Sequence, residues 1–395
     1  MRRNFPRRAF LKAAATLAAG AVLPAGLMTR AGAAKGFVTR AGTGLVLDGQ
    51  PWYLYGGSSY GTLNPGAQGT IAGTVQLAVD AGLNTVRLVN FFDERGLSDD
   101  APYDPVQWAG VDAILDALRR AGLKAILDLS AYRNHLHNRA LSAGSTITPY
   151  SQDWRPFIRF VARRVNTVTG FQYKQDRTIA VVSFAGEPNP PNSGEPLKPT
   201  TGELTNFYAT AFAEWRKHDK NHLLSSGGLL HIDWEELYNN PNGSGIDWQA
   251  IASLPNHDVP SIHNYWASFP PTASNDFKTP KFATYCGQIG KPWITEEFGF
   301  KQAPVDYSTI PPTVYSESDR GAWFQVAYDI QMSRNAAGAA FWNLGGEVHP
   351  DSHDVNPNTP ATWATVQVNA PALSDRQYRL LSPPRAMLRR GGTRV

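Results

Sequence analysis

Residues 105–129 read PVQWAGVDAILDALRRAGLKAILDL, and the order of patterns within this stretch decides the predicted fold. Apolar residues recur at helical spacing from Pro105 to Ala121, and Gly122 then provides a typical helix stop. A short apolar run, Ala125–Leu129, follows at once and has the length of a buried strand. A strand that follows a helix so directly predicts a parallel sheet with helices packed outside it.

The same alternation runs along most of the chain. Eight apolar or aromatic segments predict strands at Trp52–Tyr55, Thr85–Phe91, Ala125–Leu129, Ala180–Ala185, Leu223–Ser226, Ile262–Trp266, Trp293–Glu296 and Ala340–Leu344. Periodicity predicts helices at Ile71–Ala81, Pro105–Ala121, Asp153–Val168, Thr205–Lys217, Pro280–Ile289 and Ser318–Ala336. This order predicts an α/β fold, a single-domain (β/α)8 TIM barrel. Long loops rich in Pro, Asn, Gly and Ser follow candidate strands, on the rim where such barrels bind substrate: Asn189–Gly202, Asn239–Gly245, Phe269–Asn275 and His349–Thr362.

Residues 1–34 are predicted to form a twin-arginine signal peptide, which leaves residues 35–395 as the catalytic domain. Arg7 and Arg8 precede an alanine-rich apolar run, and Ala31-Gly32-Ala33 has the spacing of a signal peptidase site. A transmembrane anchor is less favoured, because glycines and a proline interrupt the run before it reaches the ~20 apolar residues that a span needs. The sequence therefore predicts a secreted or periplasmic protein.

The charge balance argues against nucleic-acid and membrane partners, and the cysteine content excludes an intramolecular disulfide. The chain has 37 basic and 33 acidic residues, and the predicted signal holds six of the basic residues and no acidic one, so the mature chain has 37 − 6 = 31 basic residues and a net charge of −2. This balance predicts no nucleic-acid partner, and no membrane partner after signal cleavage. Cys286 is the single cysteine, so no intramolecular disulfide can form. Nothing in the sequence indicates an oligomeric state.

Two predicted strands end in a glutamate. Residues 181–188 read VVSFAGEP and deliver Glu187, while residues 292–299 read PWITEEFG and deliver Glu296 and Glu297. Cleavage of a glycosidic bond with retention needs an acid for the leaving oxygen and a nucleophile for the sugar carbon. Two glutamates on one barrel rim could supply both, whereas each glutamate alone is as well explained by a salt bridge.

Several motifs make the chain resemble clan A of the glycoside hydrolases, and within it family five, the cellulase and mannanase family. The segment 44–56, GLVLDGQPWYLYG, is similar to the first strand of the endo-β-mannanase branch. The segment 83–87, LNTVR, is similar to the family's second-strand arginine motif, and His263-Asn264-Tyr265 to its His-x-Tyr on strand six. Trp342 stands where the family has a tryptophan at the end of strand eight.

The resemblance implies a role for each matching residue. Glu187 would be the general acid/base with a raised pKa, and Glu297, before Phe298-Gly299, would be the nucleophile. Glu296 competes with Glu297, but side chains alternate along a strand, so only one of the two can face the barrel mouth. Arg87 and Tyr265 would donate hydrogen bonds to the nucleophile. Three further positions complete the expected binding set or its support: His263, Trp266 and Trp342.

Gly186 bears on the substrate, and a group of histidines and aspartates bears on whether a metal binds. The family has Asn before the acid/base, where its amide binds the sugar 2-OH, but this chain has Gly186. Histidines and aspartates at His135, His137 and His349–Asp354 could bind a metal only if they converged, and a sugar-contacting or solvated loop is the favoured interpretation. No cofactor or metal is expected.

The sequence thus predicts a retaining glycoside hydrolase that acts on a β-1,4-linked hexose polysaccharide or oligosaccharide, with endo-β-mannanase activity favoured. An exo-acting β-glycosidase of the β-mannosidase or β-glucosidase type is the alternative within the same clan. A carbohydrate-binding barrel without catalysis is the alternative from another class, because Gly186 removes one family contact. Both glutamates with Arg87 and Tyr265 argue for the enzyme.

Overall fold

The computed structural model describes residues 35–60, 62–63, 69–188, 196–230, 232, 246–266, 269–304 and 313–370. The predicted signal peptide and the predicted loop at 239–245 lie outside these residues. Within the described part, no helix has the length and apolar character needed to cross a membrane.

Eight parallel strands form one sheet that curves into a barrel. The strands are β4 Leu54–Ser59, β5 Thr85–Leu88, β6 Lys124–Asp128, β7 Ile179–Ser183, β8 Leu223–Ser225, β9 Ser261–His263, β10 Ile294–Glu297 and β11 Gly338–Phe341. Their order in space is β8-β7-β6-β5-β4-β11-β10-β9. Leu229, just after β8, joins the two ends, because its N–H donates to the Ser261 carbonyl (3.0 Å) and its carbonyl accepts from the His263 N–H (3.3 Å). The predicted TIM barrel is confirmed.

A small antiparallel sheet closes the N-terminal end of the barrel. It consists of β1 Val38–Ala41, β2 Gly44–Leu47 and β3 Gln50–Trp52. Val38 and Leu45 from this sheet are buried with apolar residues of the barrel strands, such as Val181 and Ile294. Burial of these side chains on both sides removes apolar surface from water and seals the end opposite the loops.

The first barrel strand lies later in the chain than predicted. The segment Trp52–Tyr55 spans the end of β3 and the start of β4, which continues through Gly56-Gly57-Ser58-Ser59. These four residues have no apolar side chain large enough to signal a strand. Gly57 is required by packing, because a Cβ there would lie 2.8 Å from the Phe341 ring of the neighbouring strand.

Nine helices are described: α1 Ile71–Asp80, α2 Pro105–Ala121, α3 Ser130–Ser142, α4 Arg155–Arg163, α5 Thr201–His218, α6 Trp248–Ser253, α7 Lys278–Gln288, α8 Glu317–Ser333 and α9 Pro360–Asn369. Helices α3, α6 and α9 were not predicted, and the helix predicted to reach Val168 ends at Arg163. Helix α3 is rich in polar residues, because part of it faces the catalytic rim rather than the apolar barrel wall.

Candidate active site

The two candidate carboxylates meet at the C-terminal mouth of the barrel. Glu297 is the last residue of β10, and Glu187 lies four residues beyond the end of β7. The chain turns sharply there, since Glu187 has φ +48° and its N–H donates to the Gly228 carbonyl (2.8 Å). One carboxylate oxygen each of Glu187 and Glu297 and one ring nitrogen of His263 lie within 4.8 Å of one another. This spacing matches the ~5 Å between carboxyl groups in retaining glycosidases.

Glu297 is held by two hydrogen-bond donors and lies close to a third group. The Tyr265 hydroxyl donates to its Oε2 (3.0 Å), Arg87 Nη1 donates to its Oε1, and His263 Nδ1 lies 3.4 Å from Oε2. Arg87 is fixed in turn by Asp128, whose Oδ2 accepts from both Nη2 (2.6 Å) and Nε (3.1 Å). The carboxylate is 11% exposed, so its donors act with little solvent screening.

Glu187 is the more open of the two, with 40% of its side chain exposed. Its Oε1 accepts from His263 Nδ1 at 2.8 Å. Burial of the carboxyl raises its pKa, but the hydrogen bond and charge of His263, followed by the charges of Arg133 and Arg87, outweigh that effect and lower the pKa of Glu187 to about 2. The prediction of a raised pKa concerns Glu187 with substrate bound, whereas in the free protein the pKa is lowered by His263, a hydrogen-bond partner that the sequence did not indicate.

His263 occupies its position because two glycines, Gly227 and Gly228, lie shortly after the end of β8. A Cβ on Gly228 would lie 1.9 Å from the imidazole Cδ2, so the ring packs directly on a bare backbone. Burial lowers the pKa of His263, but Glu297 and Glu187 outweigh burial and raise it. The hydrogen bond between the imidazole and the Glu187 carboxylate therefore lowers the pKa of the carboxyl and raises that of the ring.

Glu296 is buried within the barrel, beneath the mouth. Its carboxylate accepts from the hydroxyls of Ser183 (2.9 Å) and Ser225 and lies 3.5 Å from Arg87 Nε. Burial raises the pKa of Glu296. A register shift between Thr295 and Glu297 turns both glutamates toward Arg87, which strict alternation would forbid. Glu297 is nevertheless the residue at the mouth.

The two predicted tryptophans have different environments. Trp342 is half-buried at the end of β11, with its ring centroid 5.3 Å from that of Tyr60, which is 39% exposed. Trp266 is 6% exposed and packs on Phe300 with ring centroids 5.3 Å apart. The prediction that Trp266 lines the cleft is not supported, because its ring is buried against Phe300 and its Nε1 donates to the Thr272 carbonyl (3.4 Å).

The histidines and aspartates of the last long loop do not converge. His349 is exposed, with Nδ1 3.7 Å from the Asp351 carboxylate, whereas the ring of His353 packs edge-on to Tyr265. Among the described residues, the group with metal-ligand spacing is Glu187, His263 and Glu297 itself. Arg87 lies against that group, and its positive charge opposes a cation there.

Sequence reasoning missed four residues that organise the site: Asp128, Arg133, Ser183 and Ser225. Asp128 ends β6 as a carboxylate after an apolar run, the same signal that identified Glu187, and could have been found. Arg133 lies on the unpredicted helix α3 and donates to the carbonyls of Gly186 and Glu187. The two serines are ordinary strand residues until Glu296 is known to lie between them.

Comparison with known proteins agrees with this geometry. The family profile described as GH family 5 beta-mannosidase-like matches residues 137–365. Mannan endo-1,4-beta-mannosidase 1 of Oryza sativa subsp. japonica is 24% identical over 408 residues, which covers 89% of this chain and 88% of the rice protein. Two crystal structures from Rhizomucor miehei share the fold. The endo-1,4-beta-mannanase has a TM-score of 0.66 and 21% identity over 84% of this chain and 98% of its own. The family 5 mannosidase has a TM-score of 0.59 and 18% identity over 84% and 96%. The chain therefore belongs to the family 5 β-mannosidase-like glycoside hydrolases.

Proposed function

We propose that this glycoside hydrolase cleaves β-1,4-mannan and related oligosaccharides within the chain, with Glu187 as acid/base and Glu297 as nucleophile. The observation that carries the proposal is the pair of carboxylates whose oxygens lie within 4.8 Å, with Arg87 and Tyr265 bonded to Glu297 and His263 bonded to Glu187. The related rice and Rhizomucor miehei proteins, whose names specify mannan or mannanase, support the substrate class.

In the first step, a Glu297 carboxylate oxygen attacks the anomeric carbon while the glycosidic C–O bond breaks. The leaving oxygen takes a proton from Glu187, and a glycosyl ester on Glu297 remains. Arg87 and Tyr265 hold one oxygen each of Glu297, which fixes the direction of attack. Glu187 must carry this proton when the substrate is bound, and His263 Nδ1, 2.8 Å from its Oε1, is within reach to exchange a proton with it.

In the second step, Glu187 acts as a base. Its carboxylate removes a proton from water, the hydroxide attacks the same carbon, and the ester bond to Glu297 breaks. The product keeps its β configuration, since the carbon is inverted twice. At the end of this step Glu187 carries the proton that the next cleavage requires.

An exo-acting β-mannosidase is the second candidate. The description of the family profile and the Rhizomucor miehei mannosidase favour it. The two activities differ in products, because an endo enzyme releases a range of oligosaccharides and rapidly lowers the viscosity of mannan, whereas an exo enzyme releases mannose alone.

The deciding experiment assays the purified protein on mannan, glucomannan, cellulose and aryl β-glycosides. Nuclear magnetic resonance at early times should detect the β anomer of the product on mannan. Release of the α anomer would exclude retention, and hydrolysis of cellulose alone would exclude the mannan assignment. No hydrolysis of any of these substrates would favour the carbohydrate-binding alternative.

We also propose that the chain is exported by the twin-arginine route to the periplasm or the medium. Arg7 and Arg8 before the apolar run support this route. Export in the folded state also suits a chain whose single cysteine leaves it without an intramolecular disulfide.

A further inference from the structure

Arg133 of helix α3 donates hydrogen bonds to the backbone at Glu187, the proposed acid/base. Its Nη1 donates to the carbonyl of Glu187 (2.7 Å) and to the carbonyl of Gly186. Its Nε donates to Asn134 Oδ1 (2.9 Å), and the Asn134 amide donates to Glu94 (2.7 Å). The guanidinium is thus oriented by its own helix and spans 54 residues of sequence to reach the turn.

This turn needs external support. Glu187 has φ +48°, a left-handed conformation that residues with a side chain rarely adopt. Gly186 has no space for a side chain, because a Cβ would lie 2.1 Å from the Gly227 carbonyl oxygen. The Gly186 N–H donates to Ser130 Oγ (2.8 Å), which satisfies the turn from one side while Arg133 holds its carbonyls from the other.

We propose that Arg133 is a positioning residue that holds the Gly186-Glu187 turn and so aims the acid/base carboxyl at the leaving oxygen. The inference rests on the proposed retaining mechanism. The residue before Glu187 is Gly186, which has no side chain to hold the turn. Arg133, on a neighbouring helix, holds it instead. The Glu187 side chain can be 40% exposed and still point in one direction, because its backbone is fixed.

The positive charge of Arg133 also acts on the Glu187 carboxyl. The charged or titratable groups that face this carboxyl are Arg133 from α3, His263 from β9, Tyr265 just after β9, Arg87 from β5 and Glu297 from β10. Positive charge on Arg133 favours the ionised carboxylate. Its removal should raise the pKa at which the hydrogen-bonded His263–Glu187 pair loses its proton, so the alkaline limb of the pH profile should move to higher pH.

The test compares Arg133→Met and Arg133→Lys with the wild type on two substrates, by kcat/KM across pH. Mannan has a poor leaving group and needs the acid, whereas 2,4-dinitrophenyl β-mannoside forms the glycosyl-enzyme without it. We expect Arg133→Met to lower kcat/KM on mannan by about 10- to 100-fold, with little change on the aryl substrate and an alkaline limb moved upward. Arg133→Lys should retain the wild-type limb and recover part of the activity on mannan.

Arg139→Met is the matched control, since Arg139 lies on the same helix and its ion pair with Asp99 is away from the turn. It should leave kcat/KM on both substrates unchanged. Equal losses on mannan and the aryl mannoside for Arg133→Met, or a limb that does not move, would overturn the inference and leave the proposed function intact. A wild-type protein inactive on both substrates would instead overturn the proposed function.

Discussion

A methyl group added to Gly186 tests how tightly the acid/base turn is packed. In Gly186→Ala the new Cβ would lie 2.1 Å from the Gly227 carbonyl oxygen and 3.1 Å from Ser130 Oγ. Because the closest neighbour is backbone, relief requires the turn or the Gly227 peptide to move. Overpacking of this kind costs ~1–3 kcal/mol, and Tm should fall by ~2–6 °C at ~2 °C per kcal/mol for a chain of this size.

The same shift should impair catalysis, because Glu187 is the next residue. A displacement near 1 Å costs on the order of 100-fold in rate, so kcat on mannan should drop by ~10- to 100-fold. The control is Gly287→Ala in helix α7, where a Cβ would have nothing within 4 Å. That variant should gain roughly 0.5–1 kcal/mol of stability with full activity. Thermal unfolding and mannan assays measure both. If Gly186→Ala has the Tm and the kcat of the wild type, the packing argument is refuted. In that case Gly186→Asn could restore the amide that the family has at this position.

Three further outcomes are expected. Glu187→Ala should lose ~10²–10⁴-fold in kcat/KM on mannan but retain it on 2,4-dinitrophenyl β-mannoside, with azide accelerating turnover; loss on both substrates would argue against its role as the acid. Burial lowers the pKa of His257 to about 3, whereas its unfolded value is ~6.5, so below pH ~6.5 the unfolded chain alone takes up this proton and stability should fall toward pH 3. Melting curves of His257→Gln should show a shallower decline; an unchanged slope would assign the acid sensitivity elsewhere. Replacement of Arg7 and Arg8 by lysine should leave precursor in the cytoplasm, and normal secretion of the double variant would indicate a general secretory route.

The barrel could be predicted because its signal is repeated and local. Each strand-helix unit has apolar residues at helical spacing, a helix stop and a short apolar run, as in Pro105–Leu129. An error in the bounds of one unit does not change the predicted number of strands. The first strand was misplaced where packing demanded Gly57, since a residue chosen for the absence of a side chain leaves no apolar signal. Helix α3 was missed for a related reason, because its polar residues serve the rim rather than the core.

The site was predictable where a residue's place on its strand determined its position. Glu187, Glu297, Arg87 and Tyr265 all lie at or near the C-terminal ends of barrel strands, and the barrel brings those ends together. Interactions between distant segments were not predictable. The bond from His263 to Glu187 lowers the pKa of that carboxyl in the free protein, and it exists only because Gly228 leaves room for the ring.

The register of β10 could not be predicted from its sequence. Alternation along a regular strand would send Glu296 and Glu297 to opposite faces, but the register shift after Thr295 brings both to Arg87. A bulge depends on pairing with the neighbouring strand, so the sequence of β10 alone does not indicate it. Glu297 was assigned from the Glu-Phe-Gly motif, and its exposure at the mouth is the physical property that separates it from buried Glu296.

The central claim, that Glu297 forms a covalent bond to the sugar, can be tested by trapping the intermediate. A 2-deoxy-2-fluoro β-mannosyl fluoride has a leaving group that needs little acid, and its 2-fluorine slows hydrolysis of the ester. After incubation, mass spectrometry of the intact protein should detect one added fluoromannosyl group, and peptide sequencing should assign it to Glu297. A label on Glu296 or on Glu187, or an active enzyme that turns over the reagent without any covalent adduct, would contradict the account.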